Sequence, residues 1–245
     1  MAFPVVFVHG LFGHLRDVRL TAGLVEYSVL APDLIGYGPT VAPLAAWSLS
    51  EQADHVAAAI RSAGITKVHL VGHSVGGAVA ALLTARFPAL VETLTSVEGN
   101  FTLKDAFWSG KIARMPLAEV EPIIEGYRAD PGAWIVGAGV PLTETTLALA
   151  ESWLAHQTAE TVQRQAQAVV AATEQPNYLD LWRKILVEKP VHLVAGARSR
   201  AGWDVPDWAE AGAKAVTIIP ETGHLMMAEQ PEAFAQALKL FWQAA

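Results

Sequence analysis

The sequence predicts an α/β protein: a doubly wound, mostly parallel sheet of about six strands with an inserted helical cap. Two observations predict the sheet: short β-branched apolar runs alternate with longer helical patterns, and the runs lack the polar alternation of half-exposed strands. Strands of that kind are buried on both faces, as in a parallel sheet covered by helices. A third observation predicts the cap, because one long stretch has helical patterns and no convincing strand.

The predicted core elements follow in chain order. Turn residues bound the six apolar runs at residues 5–8, 28–31, 68–71, 93–97, 191–195 and 216–219. Of the helices between them, one opens with Ser50 as N-cap and closes at Gly64, and one covers residues 74–87 before Pro88. The last covers residues 231–242, with a proline in its first turn.

One stretch, between the fourth and fifth strands, does not follow the alternation of strands and helices. Its helical patterns cover residues 117–127, 143–156, 159–173 and 179–185. We predict an α/β core at residues 1–100 and 187–245 and a helical cap at 101–186. In the alternative interpretation, some of these helices simply cover the sheet.

Composition excludes several classes of function. The formal net charge is −7 and Lys and Arg do not cluster, so binding to a nucleic-acid phosphate backbone is not expected. The absence of cysteine excludes disulfides and thiolate catalysis. The N-terminus lacks signal-peptide features, and no apolar run approaches the ~18 residues of a membrane span. We therefore expect a cytoplasmic protein with no membrane partner, no metal site and no cofactor.

The strongest local signal is the sequence Gly-His-Ser-Val-Gly at residues 72–76. A strand that turns abruptly into a helix forces its apex residue to positive φ, and glycines two residues away on each side relieve the crowding. Ser74 would then stand exposed at a helix N-terminus, where partial positive charge favours a developing anion. The G-x-S-x-G pattern is weak alone, but an apolar strand precedes it and a small-residue helix follows. In the alternative interpretation, Ser74 is only the N-cap of a Gly-rich turn.

Four features in order resemble the α/β-hydrolase superfamily over nearly the whole length. His-Gly-Leu-Phe at residues 9–12 follows the first strand, and Asp-Leu-Ile-Gly-Tyr-Gly at residues 33–38 follows the second strand. The Ser74 turn follows the third strand, and Gly223-His224 follows the last strand. The chain starts at what would be the third strand of that family, so we expect a short sheet. The resemblance implies a serine esterase or lactonase-like branch whose acid lies on the strand after the nucleophile helix.

The resemblance implies Ser74 as nucleophile and His224, just past the last strand, as its base. Ser199 occupies the position where the family usually has the acid, and a serine cannot stabilise an imidazolium as a carboxylate does. Two carboxylates are then candidates for the acid. We favour Glu98, at a strand end and followed by glycine, over Asp204 in a loop.

The resemblance also implies an oxyanion hole made of backbone N–H groups. The predicted donors are Leu11, in the loop after the first strand, and Val75, after the nucleophile. Phe12 is an alternative to Leu11, because the register of that loop is not determined by the sequence.

The cap is rich in aromatic residues, which suggests an apolar pocket; they are Phe101, Phe107, Trp108, Tyr127, Trp134 and Trp153. We predict that Phe101, Trp108, Trp134 and Trp153 bind substrate; alternatively, these aromatics form the core of the cap.

The predicted function is hydrolysis of a small-molecule carboxylic ester or lactone with an apolar part, through an acyl-enzyme. Dehalogenase and epoxide hydrolase chemistry is disfavoured because Ser74 stands where those enzymes need an aspartate. Peptidase, thioesterase, perhydrolase and carbon–carbon hydrolase activities remain alternatives. A ligand receptor with a slow triad is a further alternative, and sustained turnover distinguishes an enzyme from it.

Overall fold

The computed structural model describes residues 3–40 and 46–245, and its six strands form one sheet in the order β2-β1-β3-β4-β5-β6. The strands are β1 (Val5–Val8), β2 (Val29–Leu30), β3 (Val68–His73), β4 (Val91–Val97), β5 (Val191–Gly196) and β6 (Ala215–Ile219). Every neighbouring pair is parallel, so the predicted α/β class and strand positions are confirmed. β2 is shorter than predicted, whereas β3 runs on to the residue before Ser74.

Helices connect the strands. They are α1 (Val18–Thr21), α2 (Leu49–Ser62), α3 (Val75–Arg86), α4 (Phe107–Arg114), α5 (Leu117–Ala129), α6 (Pro131–Gly137), α7 (Glu144–Leu154), α8 (Ala159–Thr173), α9 (Tyr178–Glu188), α10 (Asp207–Gly212), α11 (Met226–Glu229) and α12 (Pro231–Ala244). The prediction of Ser50 as the N-cap of α2 is wrong. Ser48 is the cap, because its hydroxyl accepts from Glu51 N–H while the Glu51 carboxylate accepts from Ser48 N–H.

The sheet separates two hydrophobic cores, which explains why its strands read as continuous apolar runs. Val6 and Val8 of β1 pack with residues of α2 and α3 on one face. Val5 and Phe7 of the same strand pack with residues of α12 on the other face. Alternate side chains of a strand point to opposite faces, so a sheet covered on both faces requires apolar residues at every position.

The helices between β4 and β5 divide into two groups by their packing. α4 and α5 pack against α8, and α6 packs against α7, on the side of the molecule that faces the carboxyl end of the strands. α9 instead packs against α3 and α10, so it covers the sheet, as the alternative interpretation foresaw for part of this region. We propose α4–α8 as the cap and assign α9 to the core. Among the described residues, no helix is both long enough and apolar enough to cross a bilayer.

Four histidines of the described residues are buried in and beside the sheet, and one of them, His69 of β3, has its Nδ1 2.9 Å from Thr93 Oγ1. His9 and His73 lie at the ends of β1 and β3, and His192 of β5 has its Nε2 2.8 Å from Thr217 Oγ1. Burial lowers the pKa of His9, His69 and His192 to about 4 and that of His73 to about 3. All four are therefore neutral in the folded protein at pH 7.

We expect the free energy of unfolding to fall as the pH drops from 6.5 to 4. In that range the unfolded chain binds protons at these histidines and the folded protein does not, so stability is present above 6.5 and is lost on acidification. Each such histidine contributes a slope of about 1.4 kcal/mol per pH unit. Urea unfolding at pH 7.5, 6.0 and 5.0 measures how the free energy of unfolding depends on pH. The variant His192→Gln, which can hydrogen-bond Thr217 but cannot titrate, should have a smaller slope; a flat profile for the unchanged protein contradicts the prediction.

Candidate active site

Ser74 occupies the apex of the turn between β3 and α3. Its backbone has φ 54° and ψ −126°, a strained conformation for a residue other than glycine. Its N–H donates to Val97 O at 2.9 Å, and its carbonyl accepts from Gly77 N–H at 2.8 Å. The Ser74 hydroxyl makes no capping hydrogen bond to α3. The N-cap interpretation therefore does not account for this side chain.

The two glycines of the motif are required by close backbone packing. A Cβ atom at Gly72 would lie 2.3 Å from Gly76 O, and one at Gly76 would lie 2.2 Å from Val8 O. Both obstacles are backbone atoms, so no side-chain movement can relieve the contact. The motif thus allows β3, α3 and β1 to approach closely enough to form the turn.

We expect Gly76→Ala to lower the free energy of unfolding by more than about 4 kcal/mol or to abolish soluble expression, because its methyl group overlaps Val8 O and His9 O. Chemical denaturation measures the loss. Gly126→Ala is the matched control, since a Cβ there meets no atom within 4 Å and alanine favours the helix. Equal stabilities of the two variants would contradict this account of the motif.

The Glu98 carboxylate lies beside His224. Glu98 Oε2 is 2.6 Å from His224 Nδ1, although the two residues are 126 positions apart. Glu98 follows β4 directly, and its φ of 42° is a second strained backbone conformation. The side chain of Asp204, the alternative acid, instead accepts a hydrogen bond from Thr102 Oγ1 at 2.6 Å. The structure thus brings Glu98, and not Asp204, to the imidazole.

The other Glu98 oxygen is held from β5. Oε1 accepts hydrogen bonds from Gly196 N–H at 2.9 Å and from the Ser199 hydroxyl at 2.5 Å. Burial acts to raise the pKa of Glu98, but hydrogen bonds from His224, Ser199 and Gly196 outweigh it and leave the pKa below its ordinary value. The carboxylate is therefore charged and fixed. The sequence analysis did not predict this role of Ser199. Its position, where the family usually has the acid, could have indicated that Ser199 lies close to the acid and the histidine.

His73 holds the backbone of the His224 loop. Its Nε2 lies 2.9 Å from His224 O, and the two rings are 4.6 Å apart. Burial, reinforced by the neighbouring His224 ring, keeps the His73 imidazole neutral, so its Nε2–H donates to that carbonyl.

Ser74 and His224 open into one cavity of about 680 Å³. Ser74 is half-buried, and 42% of the His224 side chain is exposed. Within the described part of the chain, the Ser74 hydroxyl forms no hydrogen bond with His224. Catalytic hydrogen bonds of this kind commonly tighten only when substrate binds.

The loop after β1 passes directly over Ser74. A Cβ at Gly10 would lie 3.1 Å from Ser74 Cβ, and Leu11 and Phe12 continue along the cavity wall. Hydrogen bonds hold the loop in place: the Tyr37 hydroxyl donates to Leu11 O at 2.8 Å, and Gly13 donates its N–H to Gln157 Oε1, in the turn between α7 and α8, at 2.9 Å.

The predicted oxyanion donors are available for a ligand. The N–H groups of Leu11, Phe12 and Val75 donate to no protein acceptor among residues 3–40 and 46–245. Leu11 and Phe12 therefore both remain candidates for the first donor. In the same part of the chain, no cluster of three or more carboxylate or imidazole side chains could hold a metal ion.

Aromatic side chains line much of the cavity. Trp108, Trp134 and Trp153, all predicted to bind substrate, are on its wall. Phe101 is not, so that prediction is wrong. Phe101 is fully buried and stacks on Trp182 of α9 with ring centroids 4.2 Å apart, because the chain turns inward after β4 and inserts the ring into the core. The side chain of Phe107 lies outside the described part of the structure.

Comparisons with known proteins agree with this architecture. The dihydrolipoyllysine-residue acetyltransferase component of the acetoin cleaving system of Pseudomonas putida is 27% identical over 97% of this chain and 63% of its own length. Lipase 1 of Psychrobacter immobilis is 30% identical over 45% of this chain and 34% of its own length. This chain thus spans less than two thirds of the length of either relative.

A solved structure shares the fold over the whole chain. The esterase EaEST of Exiguobacterium antarcticum superimposes with a TM-score of 0.74 at 21% identity, covering 99% of this chain and 92% of its own. The model of the alpha/beta hydrolase family matches residues 5–237. The chain therefore belongs to the alpha/beta hydrolase family.

Proposed function

We propose that this protein is a serine hydrolase that cleaves a carboxylic ester or lactone with an apolar part through an acyl-enzyme. One observation carries the proposal: the Glu98–His224 pair, joined at 2.6 Å, opens into the same cavity as the strained Ser74 turn. A buried, charged carboxylate on Nδ1 selects the imidazole tautomer whose Nε2 accepts a proton. The lipase relative supports ester hydrolysis over the part of the chain that it matches.

In the proposed reaction, Ser74 Oγ attacks the ester carbonyl carbon while His224 Nε2 takes the hydroxyl proton. Glu98 stabilises the resulting imidazolium through Nδ1–H. The carbonyl oxygen, now negative, accepts hydrogen bonds from Val75 N–H and from Leu11 or Phe12 N–H. When the carbon–oxygen bond breaks, the alcohol leaves with the proton from His224 and the acyl group stays on Ser74.

Deacylation repeats the same steps with water. His224 Nε2 removes a proton from the water molecule as its oxygen attacks the acyl carbon, and the N–H groups again hold the oxyanion. When this tetrahedral intermediate collapses, the carboxylic acid is released and His224 returns the proton to Ser74 Oγ. With a lactone, the alcohol and acid products are the two ends of one molecule.

The cavity wall favours an uncharged, partly apolar substrate. Trp108, Tyr127, Trp134 and Trp153 contribute apolar surface, and no Lys or Arg is among the described residues that line the cavity. The carboxylates that line the cavity, Glu98, Asp105 and Asp130, would repel an anionic substrate near the reacting carbonyl.

A panel of p-nitrophenyl esters with two to eight acyl carbons, together with γ- and δ-lactones, tests the proposal. We expect many turnovers per active site and covalent labelling of Ser74 by a fluorophosphonate, located by peptide mass spectrometry. A ligand receptor would release at most one equivalent of product. A burst without turnover, or label on another residue, would contradict the proposed function.

A further inference from the structure

The loop that carries His224 has a strained backbone. It covers residues 220–224, between β6 and α11, and we call it the histidine loop. Glu221, within it, has a φ of 58°, which is unfavourable for a residue other than glycine. Such a conformation persists only where surrounding contacts hold it. Because the position of His224 Nε2 relative to Ser74 depends on this loop, those contacts affect the proposed reaction.

Arg198, two residues after the end of β5, contacts the histidine loop through both its backbone and its side chain. Its N–H donates to Thr222 O at 2.9 Å. Its guanidinium Nη1 donates to Glu221 O, the carbonyl of the strained residue. His73 holds the last residue of the loop, His224, so Arg198 holds the residues that precede it.

Glu229, the last residue of α11, extends this network to the residue next to His224. Its Oε2 accepts from Arg198 Nη2 at 2.5 Å, and its Oε1 accepts from Gly223 N–H at 2.7 Å. Only 4% of the Glu229 side chain is exposed, and a buried carboxylate that loses its cation is strongly unfavourable. Arg198 therefore keeps Glu229 in the position that binds Gly223 N–H.

The proposed cap fixes the guanidinium group of Arg198 from the other side. Nη2 also donates to Gly139 O, in the turn between α6 and α7, at 2.7 Å. Gly137 and Ala138, directly before Gly139, line the cavity together with His224. One guanidinium thus binds the cap, the histidine loop and α11 next to residues that line the cavity, and these acceptors determine the plane in which it lies.

We propose that Arg198 is a positioning residue, which holds the histidine loop where His224 can exchange a proton with Ser74. The inference rests on the proposed function for the role of His224. An arginine is required because its planar guanidinium directs several N–H groups to separate acceptors, whereas lysine has a single nitrogen. The backbone N–H of residue 198 remains in any variant except proline, and 45% of the Arg198 side chain is exposed, so we expect substituted proteins to fold.

Steady-state kinetics of Arg198→Gln with p-nitrophenyl butyrate test this inference. We expect kcat to fall about 10- to 100-fold because the imidazole is displaced, and KM to stay within about twofold because no group that binds substrate is lost. Arg198→Lys keeps the charge but not the planar group, so we expect its kcat to remain at least about fivefold below that of the unchanged protein. Full kcat in Arg198→Lys would show that the charge alone matters and would overturn the inference.

Arg86→Gln is the matched control for Arg198→Gln. Arg86 forms an ion pair with Asp54 at the carboxyl-terminal end of α3, and 44% of its side chain is exposed, nearly the same fraction as in Arg198. We expect this variant to keep kcat within about twofold. If Arg198→Gln has the same kcat as Arg86→Gln, the inference is wrong.

The network with Glu229 supplies a second kinetic test. Because Arg198 and Glu229 act on the histidine loop as one unit, the double variant Arg198→Gln/Glu229→Gln should lose no more kcat than the more impaired of the two single variants. Losses that multiply would show that the two residues act independently, against the inference. The double variant leaves no unpaired buried carboxylate, so it replaces Arg198→Gln in every test if circular dichroism shows that the single variant does not fold.

Proton NMR supplies a readout that does not depend on turnover. The short hydrogen bond between His224 Nδ1 and Glu98 is expected to give a low-field proton resonance, which Glu98→Gln identifies by its loss. We expect this resonance to shift upfield or broaden in Arg198→Gln, because displacement of the histidine loop lengthens the hydrogen bond, and to stay unchanged in Arg86→Gln. An unchanged resonance in Arg198→Gln overturns the inference alone, whereas absence of ester hydrolysis by the unchanged protein refutes the proposed function and leaves the NMR test to decide.

Discussion

Replacing Ser74 with alanine is expected to lower kcat for a p-nitrophenyl ester by about 10⁴- to 10⁶-fold. Without Oγ no acyl-enzyme forms, and only the oxyanion donors and the binding cavity remain to assist attack by water. The loss should appear in kcat more than in KM, because the hydroxyl bonds covalently only during reaction. Steady-state kinetics with purified protein measure both constants.

Two controls make the Ser74 result specific. Ser62→Ala, on the exposed end of α2, should leave kcat unchanged within twofold. The Ser74→Ala protein should keep the thermal stability of the unchanged protein, since the hydroxyl makes no capping hydrogen bond. A Ser74→Ala protein that retains a tenth or more of kcat would refute the proposed mechanism.

Glu98→Gln is expected to lower kcat by about 10³- to 10⁴-fold. The amide keeps nearly the same shape but carries no charge, so it cannot stabilise the imidazolium. It can also present N–H₂ to His224 Nδ1, which would favour the tautomer that has its proton on Nε2. That tautomer cannot accept the Ser74 proton.

Asp204→Asn provides the matched comparison for Glu98→Gln, because both changes remove one charge and keep the size. We expect kcat to stay within about twofold in Asp204→Asn, since its carboxylate hydrogen-bonds Thr102 and not His224. Stopped-flow assays of both variants with one ester decide between the two acids. A large loss confined to Asp204→Asn would show that the acid is misassigned.

Much of the fold was predictable because its determinants are local. Apolar runs at every position of β1 and β3 require cover on both faces, and α12 on one face and α2 and α3 on the other provide it. The sharp turn at Ser74 was predictable for the same reason: glycines at fixed offsets are needed wherever a Cβ would meet backbone at 2.2–2.3 Å. The proposed roles of Ser74 and His224 stay predictions until the kinetics are measured.

Contacts between side chains from distant parts of the chain could not be predicted from local sequence patterns. Glu98 and Asp204 were both acceptable acids in the sequence, and only the assembled sheet places one of them 2.6 Å from His224, across 126 positions. Phe101 is an aromatic residue of the kind that often lines apolar pockets, yet it stacks on Trp182 inside the core. Residue type and spacing encode backbone geometry and periodicity, whereas which side chains meet depends on how strands and helices far apart in the chain pack together.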